Sequence, residues 1–311
     1  MDAGADGSRL ARRQRVAESG AMAGGEQREG GRGAVVVTGA SSGIGEACAR
    51  RLAGLGFHVF AGVRKQQDGE RLQREIPGVT PLRLDVVDAD SIARAAQTVR
   101  EATGEQGLAG LVNNAGVAVP APIEHQPIED FRRQLEVNLI GQVAVTQAFL
   151  SQLRAARGRI VNISSIGGKV AVPLLGAYAA SKFGLEGFSD SLRRELRPWG
   201  IGVAVIEPGT IATPIWDKGI ASGDELEAGM SEQAKRDYGP LIATVRTASE
   251  QGARTGLPPD AVAQDVAHAL TARRPKTRYL VGREAKSRAL LARIAGDRVI
   301  DAGVARAMRW G

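Results

Sequence analysis

The sequence predicts an α/β fold: one domain built on a doubly wound, seven-stranded parallel sheet. Three observations carry that prediction. Seven short runs are rich in β-branched residues and mostly apolar throughout; longer helix-patterned segments alternate with them; and a glycine-rich turn follows the first run directly. Strands that are apolar on both faces are those sandwiched between helix layers, and parallel neighbours need right-handed crossovers.

Residues 1–33 are rich in Gly, Arg, Ala and Glu without hydrophobic periodicity, and are expected to be disordered. The Arg12-Arg13 pair is followed by no apolar segment, so a secretion signal is not expected. The domain should span residues 34–282. Its strands are read at 34–38 (AVVVT), 58–63 (HVFAGV), 80–86 (TPLRLDV), 108–114 (LAGLVNN), 158–164 (GRIVNIS), 201–207 (IGVAVIE) and 277–282 (TRYLVG). Helices are read near 43–55, 89–103, 131–156, 177–197 and 260–272. Between residues 213 and 257 the rhythm is lost, and the polar, Gly-containing stretch is expected to be an irregular loop covering a substrate. Residues 283–311 form a basic, helix-like extension.

Composition narrows the function classes. The chain has 311 residues, 43% hydrophobic and 24% charged, as in ordinary globular proteins. No apolar run approaches the ~20 residues of a membrane span. The single cysteine, Cys48, permits no internal disulfide, fits a reducing cytoplasm, and reads as a small packed residue on the first helix. Three scattered histidines have no metal-ligand spacing. The net charge of +7 is local: residues 273–311 hold 11 basic and 3 acidic groups, and the other residues hold 30 and 31. Nucleic-acid binding by the whole protein is therefore not expected.

The turn TGASSGIG (38–45) puts glycines at 39, 43 and 45 between a strand and a helix. Glycine allows tight turning and close approach of a phosphate, and a helix N-terminus offers free N–H groups. YAASK (178–182) puts Tyr178 and Lys182 one helical turn apart, on one face. Along the chain stand NNAG (113–116), VNLIG with Asn138, IVNISS with Ser164 and Ser165, and PGTIATP (208–214).

Jointly and in this order, these motifs resemble the short-chain dehydrogenase/reductase family over about residues 33–282. The resemblance implies a Rossmann-like domain and hydride transfer between a nicotinamide cofactor and an alcohol or carbonyl. It implies Tyr178 as general acid/base and Lys182 as the residue that lowers the tyrosine pKa and holds the cofactor ribose. A serine steadies the substrate oxygen, and family spacing selects Ser165, leaving Ser164 to satisfy nearby backbone. Asn138 completes a proton relay through water. A free phenol titrates near pH ~10, and lowering it by about 2–3 units takes roughly 3–4 kcal/mol. A cation ~4 Å away at an effective dielectric of ~20 supplies about 4 kcal/mol, so one lysine suffices.

The resemblance places the cofactor against Gly39, Ser41, Ser42, Gly43, Ile44, Gly45, Asn114, Ala115, Gly116, Tyr178, Lys182, Pro208, Gly209, Ile211 and Thr213, with Asp85 and Val86 at the adenine. After the second strand, Val63 stands where an acid would hold the ribose of NAD, and Arg64 follows, able to pair with a 2′-phosphate. NADP(H) is favoured, with NAD(H) as the alternative. The glycine turn offers no second basic residue, since Ser42 occupies that place.

The C-terminal stretch KTRYLVGREAK (276–286) is similar to branches acting on steroids, retinoids and other lipophilic alcohols or ketones. Ile215, Trp216, Tyr238, Leu241 and Ile242 are candidate pocket residues. The stripe Leu135, Leu139, Val143 and Phe149 reads as core or subunit interface, and the family implies homodimers or homotetramers. The basic tail, 286–310, is expected to pack beside the lid; lying on an anionic membrane is the lesser reading. The alternatives are a 3-oxoacyl reductase on carrier-bound chains and a noncatalytic dinucleotide-binding scaffold. The second predicts a damaged tetrad, whereas Asn138, Ser165, Tyr178 and Lys182 are all present.

Overall fold

The computed structural model describes residues 31–307. The N-terminal extension up to residue 30 and the last four residues lie outside the described residues, and with them most of the expected disordered segment. Near the start of the described residues, the N–H of Arg32 donates to Gly56 O at 3.0 Å.

All seven expected strands are present: β1 Ala34–Val37, β2 His58–Val63, β3 Val79–Arg83, β4 Leu108–Asn113, β5 Arg159–Ile163, β6 Gly202–Pro208 and β7 Arg278–Val281. They form one parallel sheet in the order β3-β2-β1-β4-β5-β6-β7. Strand order reverses between β1 and β4, so a crevice opens at the carboxyl ends of these two strands, the usual ligand position in such sheets. The sheet is apolar on both faces, as its β-branched runs require. Val35, Val37, Val161 and Ile206 face one core, Val36, Leu111 and Ile160 the other, all fully buried.

Helices α1 Gly43–Gly54, α2 Gln66–Glu75, α3 Ala89–Thr103, α4 Ile128–Leu135, α5 Gly141–Ala156, α6 Gly176–Glu195, α7 Ile215–Ala228, α8 Glu232–Thr255, α9 Pro259–Thr271, α10 Arg283–Ile294 and α11 Asp297–Ala307 complete the described chain. Three of them correct the sequence reading. Helix α2 was not expected, because QQDGERLQRE buries only Gly69 and Leu72 and so shows almost no apolar period. The anticipated irregular loop at 213–257 is instead a helical pair, α7 and α8. Its apolar signal is weak because the faces it buries are small: Gly219 on α7, and Ala234 and Gly252 on α8. Ser231 starts α8 by accepting the N–H of Ala234 at 3.2 Å, and Pro240 inside the helix hides it from a pattern search.

The expected helix 131–156 is interrupted. Residues Glu136–Ile140 form a π turn between α4 and α5, centred on Asn138. Gly141, just after it, stands where a Cβ would lie 2.5 Å from Val86 O. In the stripe, Phe149 is core, whereas Leu139 packs over Gly184 of α6. Cys48 is fully buried on α1, and burial pushes its thiol up to about 12, which makes it inert. The tail is two helices rather than one, with Leu290, Leu291, Ile294 and Val299 exposed. No helix among the described residues is long and apolar enough to cross a membrane.

Candidate active site

The site sits where the carboxyl ends of β1, β4, β5 and β6 meet the N-terminal part of α6. Helix α6 begins after Leu174, one of two non-glycine residues with positive φ among those described, at +63°. The Leu174 carbonyl accepts the N–H of Ala121 at 2.8 Å, tying the start of the helix to the segment after β4. From α6, Tyr178 and Lys182 point to one face, as their spacing demands: the Lys182 ammonium lies 5.8 Å from the Tyr178 ring centroid. Ser165 caps the short 3-10 turn Ile166–Gly168 after β5, its Oγ accepting the Gly167 N–H at 3.0 Å. A Cβ on Gly167 would stand 3.2 Å from Tyr178 Cε1 and 3.3 Å from Ser165 Oγ, so the two hydroxyl-bearing residues face each other across that glycine.

The electrostatics differ from the sequence expectation. Lys182 is 4% exposed, and its Nζ donates to Ile163 O at 2.8 Å. Burial lowers its pKa to about 8, and Glu186 pulls in the opposite direction. Tyr178 is raised, not lowered: burial dominates, and the neighbouring Ser165 hydroxyl works against it. The lysine does not depress the phenol here because its ammonium stands beside the ring and is committed to the Ile163 carbonyl.

Asn138 is fully buried, and its side chain is already occupied. Its Oδ1 accepts from Val117 N at 2.8 Å, and its Nδ2 donates to Val117 O at 2.8 Å and Ser181 Oγ at 3.0 Å. The side chain therefore fixes the strand-end loop, and a relay through it would have to break these bonds. Asn138 Oδ1 and Lys182 Nζ still converge on one point, 3.3 and 3.9 Å from the position a Gly116 Cβ would take. Ser164 also departs from expectation: its buried Oγ has no hydrogen-bond partner among the described residues.

The glycine turn makes a cradle at the β1 edge of this site. Gly39 and Gly43 have φ of +64° and +59°, which side chains rarely adopt. A Cβ on Gly45 would stand 2.2 Å from Gly39 O, and one on Gly43 would stand 3.1 Å from Thr213 Cγ2. These glycines are thus required by packing within the turn and against Thr213. Ser42 occupies the N-cap of α1 without capping it, which leaves the first N–H groups of the helix free for a phosphate, with Ser41 and Ile44 beside them. Asn114 braces the turn, its Nδ2 donating to Thr38 O at 2.9 Å and Gly39 O at 3.1 Å, while Ala115 N donates to Thr38 Oγ1 at 3.0 Å.

Other expected contacts divide. Gly209 N is bonded to Val281 O at 3.0 Å after Pro208, and Thr213 meets the turn, whereas Ile211 is buried in the core. Val86 is likewise a core residue, and Asp85 Oδ1 accepts the Val87 N–H at 3.3 Å, a strand-end cap. Arg64 is exposed at the end of β2, with Lys65 at the N-cap of α2. The turn does have a second basic residue, unseen in sequence because it arrives from the unexpected α2. Arg71 Nη2 donates to Ser41 O at 2.9 Å and is paired to Glu46 at 2.8 Å. Of the proposed pocket residues, Ile242 lines a cavity with Pro120, Pro122, Leu174, Ile220 and Val245. Trp216 instead anchors α7, donating to Ile211 O at 2.6 Å, and Tyr238 donates to Glu124 Oε2 at 2.7 Å.

Sequence reasoning missed one further group: Lys169, Glu186, Glu207 and Arg278. Glu207 interrupts the apolar run of β6, and a charge in such a run is the one signal that could have found them.

Comparisons with known proteins identify the family of the chain. A short chain dehydrogenase profile matches residues 33–222. The chain is 37% identical over 272 residues to the NADPH-dependent 3-dehydrocapnine reductase of Ornithobacterium rhinotracheale, covering 86% of this chain and 94% of that one. It is 40% identical over 257 residues to retinol dehydrogenase 16 of Homo sapiens, covering 81% of each. Among solved structures it resembles a short chain dehydrogenase from Burkholderia cenocepacia J2315 in complex with NADP. The TM-score is 0.65 at 27% identity, covering 90% of this chain and 98% of that one.

Proposed function

The chain belongs to the short chain dehydrogenase family, and on that premise we propose that it reduces the carbonyl of a lipophilic substrate with NADPH, or runs the reverse oxidation with NADP. The observation that carries this is the meeting of Tyr178, Ser165 and Lys182 beside the uncapped N-terminus of α1, at the point where strand order reverses.

A nicotinamide cofactor held at this site would supply the hydride for the carbonyl carbon. Tyr178 gives its phenolic proton to the carbonyl oxygen, so that hydride and proton together yield the alcohol. Its raised pKa keeps it in the proton-bearing form that reduction uses. Ser165 holds the same oxygen with its hydroxyl. Lys182 would hold the cofactor ribose with the N–H donors that its bond to Ile163 O leaves free. Asn138 fixes the loop at Val117, where a water relay would pass.

The preference for NADP(H) rests on Arg64 and Lys65 at the end of β2, where Val63 replaces an acid, and on the cofactors named for the relatives. NAD(H) remains the second cofactor. The lipophilic substrate rests on the apolar cavity under α7 and α8 and on the retinol dehydrogenase likeness. A homo-oligomer is supported by the exposed Ile140 of the π turn and Phe183 of α6. A cytoplasmic setting is supported by the single buried cysteine.

The test follows nicotinamide absorbance with NADPH against long-chain ketone, steroid and retinoid panels, then with NADH, with Tyr178→Phe as the control. Turnover that disappears in the variant supports the reading. Well-folded protein that binds no cofactor, or turnover that persists in the variant, would sink it.

A further inference from the structure

A partly buried ionic cluster joins the Ser165 turn, α6, β6 and β7. Lys169 comes from the turn after Ser165, Glu186 from α6 one turn beyond Lys182, Glu207 from the end of β6 just before Pro208, and Arg278 from β7. Glu207 is 0% exposed, and its Oε1 lies 3.2 Å from Lys169 Nζ and 3.1 Å from Arg278 Nε. Glu186 Oε2 lies 3.0 Å from Arg278 Nε and 3.9 Å from Lys169 Nζ. Arg278 Nη2 also holds Asp190 Oδ1 at 3.0 Å, which Arg193 shares.

The cluster answers a question that the catalytic residues leave open. Lys182 is buried and donates to one carbonyl, and no carboxylate among the described residues lies within salt-bridge range. A buried ammonium without a counter-charge neutralises. Glu186 is the carboxylate on the lysine's own helical face, four residues on. Its Oε1 is buried without a hydrogen-bond partner among the described residues, while its Oε2 is held by Arg278. Gly168 brings the two elements together: a Cβ there would stand 3.1 Å from Lys182 O and 3.2 Å from Glu186 Cγ.

We propose that Glu186 is a positioning residue for the catalytic lysine, its buried carboxylate supplying the counter-charge on the lysine's helical face, with Lys169 and Arg278 placed between Glu186 and Glu207. This rests on the reading of Lys182 as catalytic. Every charged group facing Glu186 fits the scheme. Lys182 and Asp190 lie on its own helix, Lys169 on the Ser165 turn, Glu207 on β6 and Arg278 on β7. Burial and the neighbouring Glu186 push the Glu207 carboxyl up.

The experiment titrates Lys182 directly, by the pH dependence of its 13Cε NMR signal, assigned with Lys182→Met, in wild type, Glu186→Gln and Glu186→Asp. Glu186→Gln is expected to lower the Lys182 midpoint by about one pH unit, tenfold in proton affinity, and Glu186→Asp to restore most of it. In parallel, the alkaline limb of kcat should move to lower pH in Glu186→Gln, with the KM for the ketone unchanged. An unmoved midpoint overturns the proposal, even if Glu186→Gln melts earlier. If Glu186→Gln does not fold, Glu186→Asp carries the test, because a longer Lys182 to carboxylate separation must also lower the midpoint. A shifted midpoint in a protein whose turnover survives Tyr178→Phe would uphold the pairing and reject the catalytic reading on which it rests.

Discussion

Lys182 Nζ stands 5.8 Å from the Tyr178 ring centroid and spends a hydrogen bond on Ile163 O at 2.8 Å. The two residues share a face of α6, yet the lysine does not depress the phenol. Burial acts on both groups against their charged forms, which lowers the lysine and raises the tyrosine. The pair is therefore set up to hold one proton on the tyrosine and to lose the lysine charge unusually early.

That has a consequence for stability. The folded pKa of Lys182 is about 8, against a reference of 10.5. The folded state thus binds fewer protons than the unfolded state between these values, and this group's contribution improves as pH rises through that window. Below pH ~8 the full unfavourable effect of the buried ammonium is present, about 3 kcal/mol, less about 1 kcal/mol for the bond to Ile163 O. Lys182→Met should therefore be inactive yet more stable than wild type by about 1–2 kcal/mol at pH 7. The advantage should vanish near pH 10. Thermal melts across that range check it, and a variant less stable at pH 7 contradicts the account.

Two glycines of α1 should respond oppositely to alanine. At Gly45 the new Cβ would stand 2.2 Å from Gly39 O, a backbone atom fixed by the turn, so Gly45→Ala should lose about 3 kcal/mol or more and abolish cofactor binding. At Gly54, exposed in the last turn of the helix, nothing lies within 4 Å, and Gly54→Ala should gain a few tenths to about 1 kcal/mol. Urea denaturation of both variants separates packing from propensity; equal effects would show that the turn can relax.

Arg64 should read the cofactor's 2′-phosphate. It is exposed, with no described salt-bridge partner, so Arg64→Ala should leave folding unchanged. It should raise the KM for NADPH about 10-fold to 100-fold, the range of one lost charge-assisted contact, and spare NADH. Steady-state kinetics with both cofactors decide this. If the KM for NADPH stays put, the glycine turn with Arg71 becomes the reader of the phosphate.

How much of this was legible in the sequence follows from the size of each signal. The strands were readable because Val, Ile and Leu runs buried on both faces have no other plausible use. The shared face of Tyr178 and Lys182 was readable because helical spacing dictates it, whereas Ser165 followed only from the family resemblance. Helices α2, α7 and α8 were not readable, since α7 and α8 bury one or two small residues each and α2 only Gly69 and Leu72, which leaves no apolar stripe. Arg71 was missed with α2. The direction of the tyrosine shift was not readable because burial dominates it, and sequence says nothing about desolvation.

The helical pair α7–α8 should open for a ligand to enter. The apolar cavity beneath it holds about 30 Å³, space for roughly one water and not for a lipophilic substrate. Its far end is latched to the segment after β4: Tyr238 Oη donates to Glu124 Oε2 at 2.7 Å, and its ring meets His125 edge-on at 5.4 Å. At the near end α7 packs through glycines, and a Cβ at Gly219 would stand 3.1 Å from Ala118 O. The exposed latch is the weaker of the two, so the pair should hinge about α7 and swing open at Tyr238. Tyr238→Phe should speed amide exchange along α8 without changing exchange in β4 or α6, and it should raise the dissociation rate of a bound ketone. Hydrogen-exchange mass spectrometry reads the first effect. Unchanged exchange in α8 would mean that the latch does not hold the lid and that opening is governed at α7.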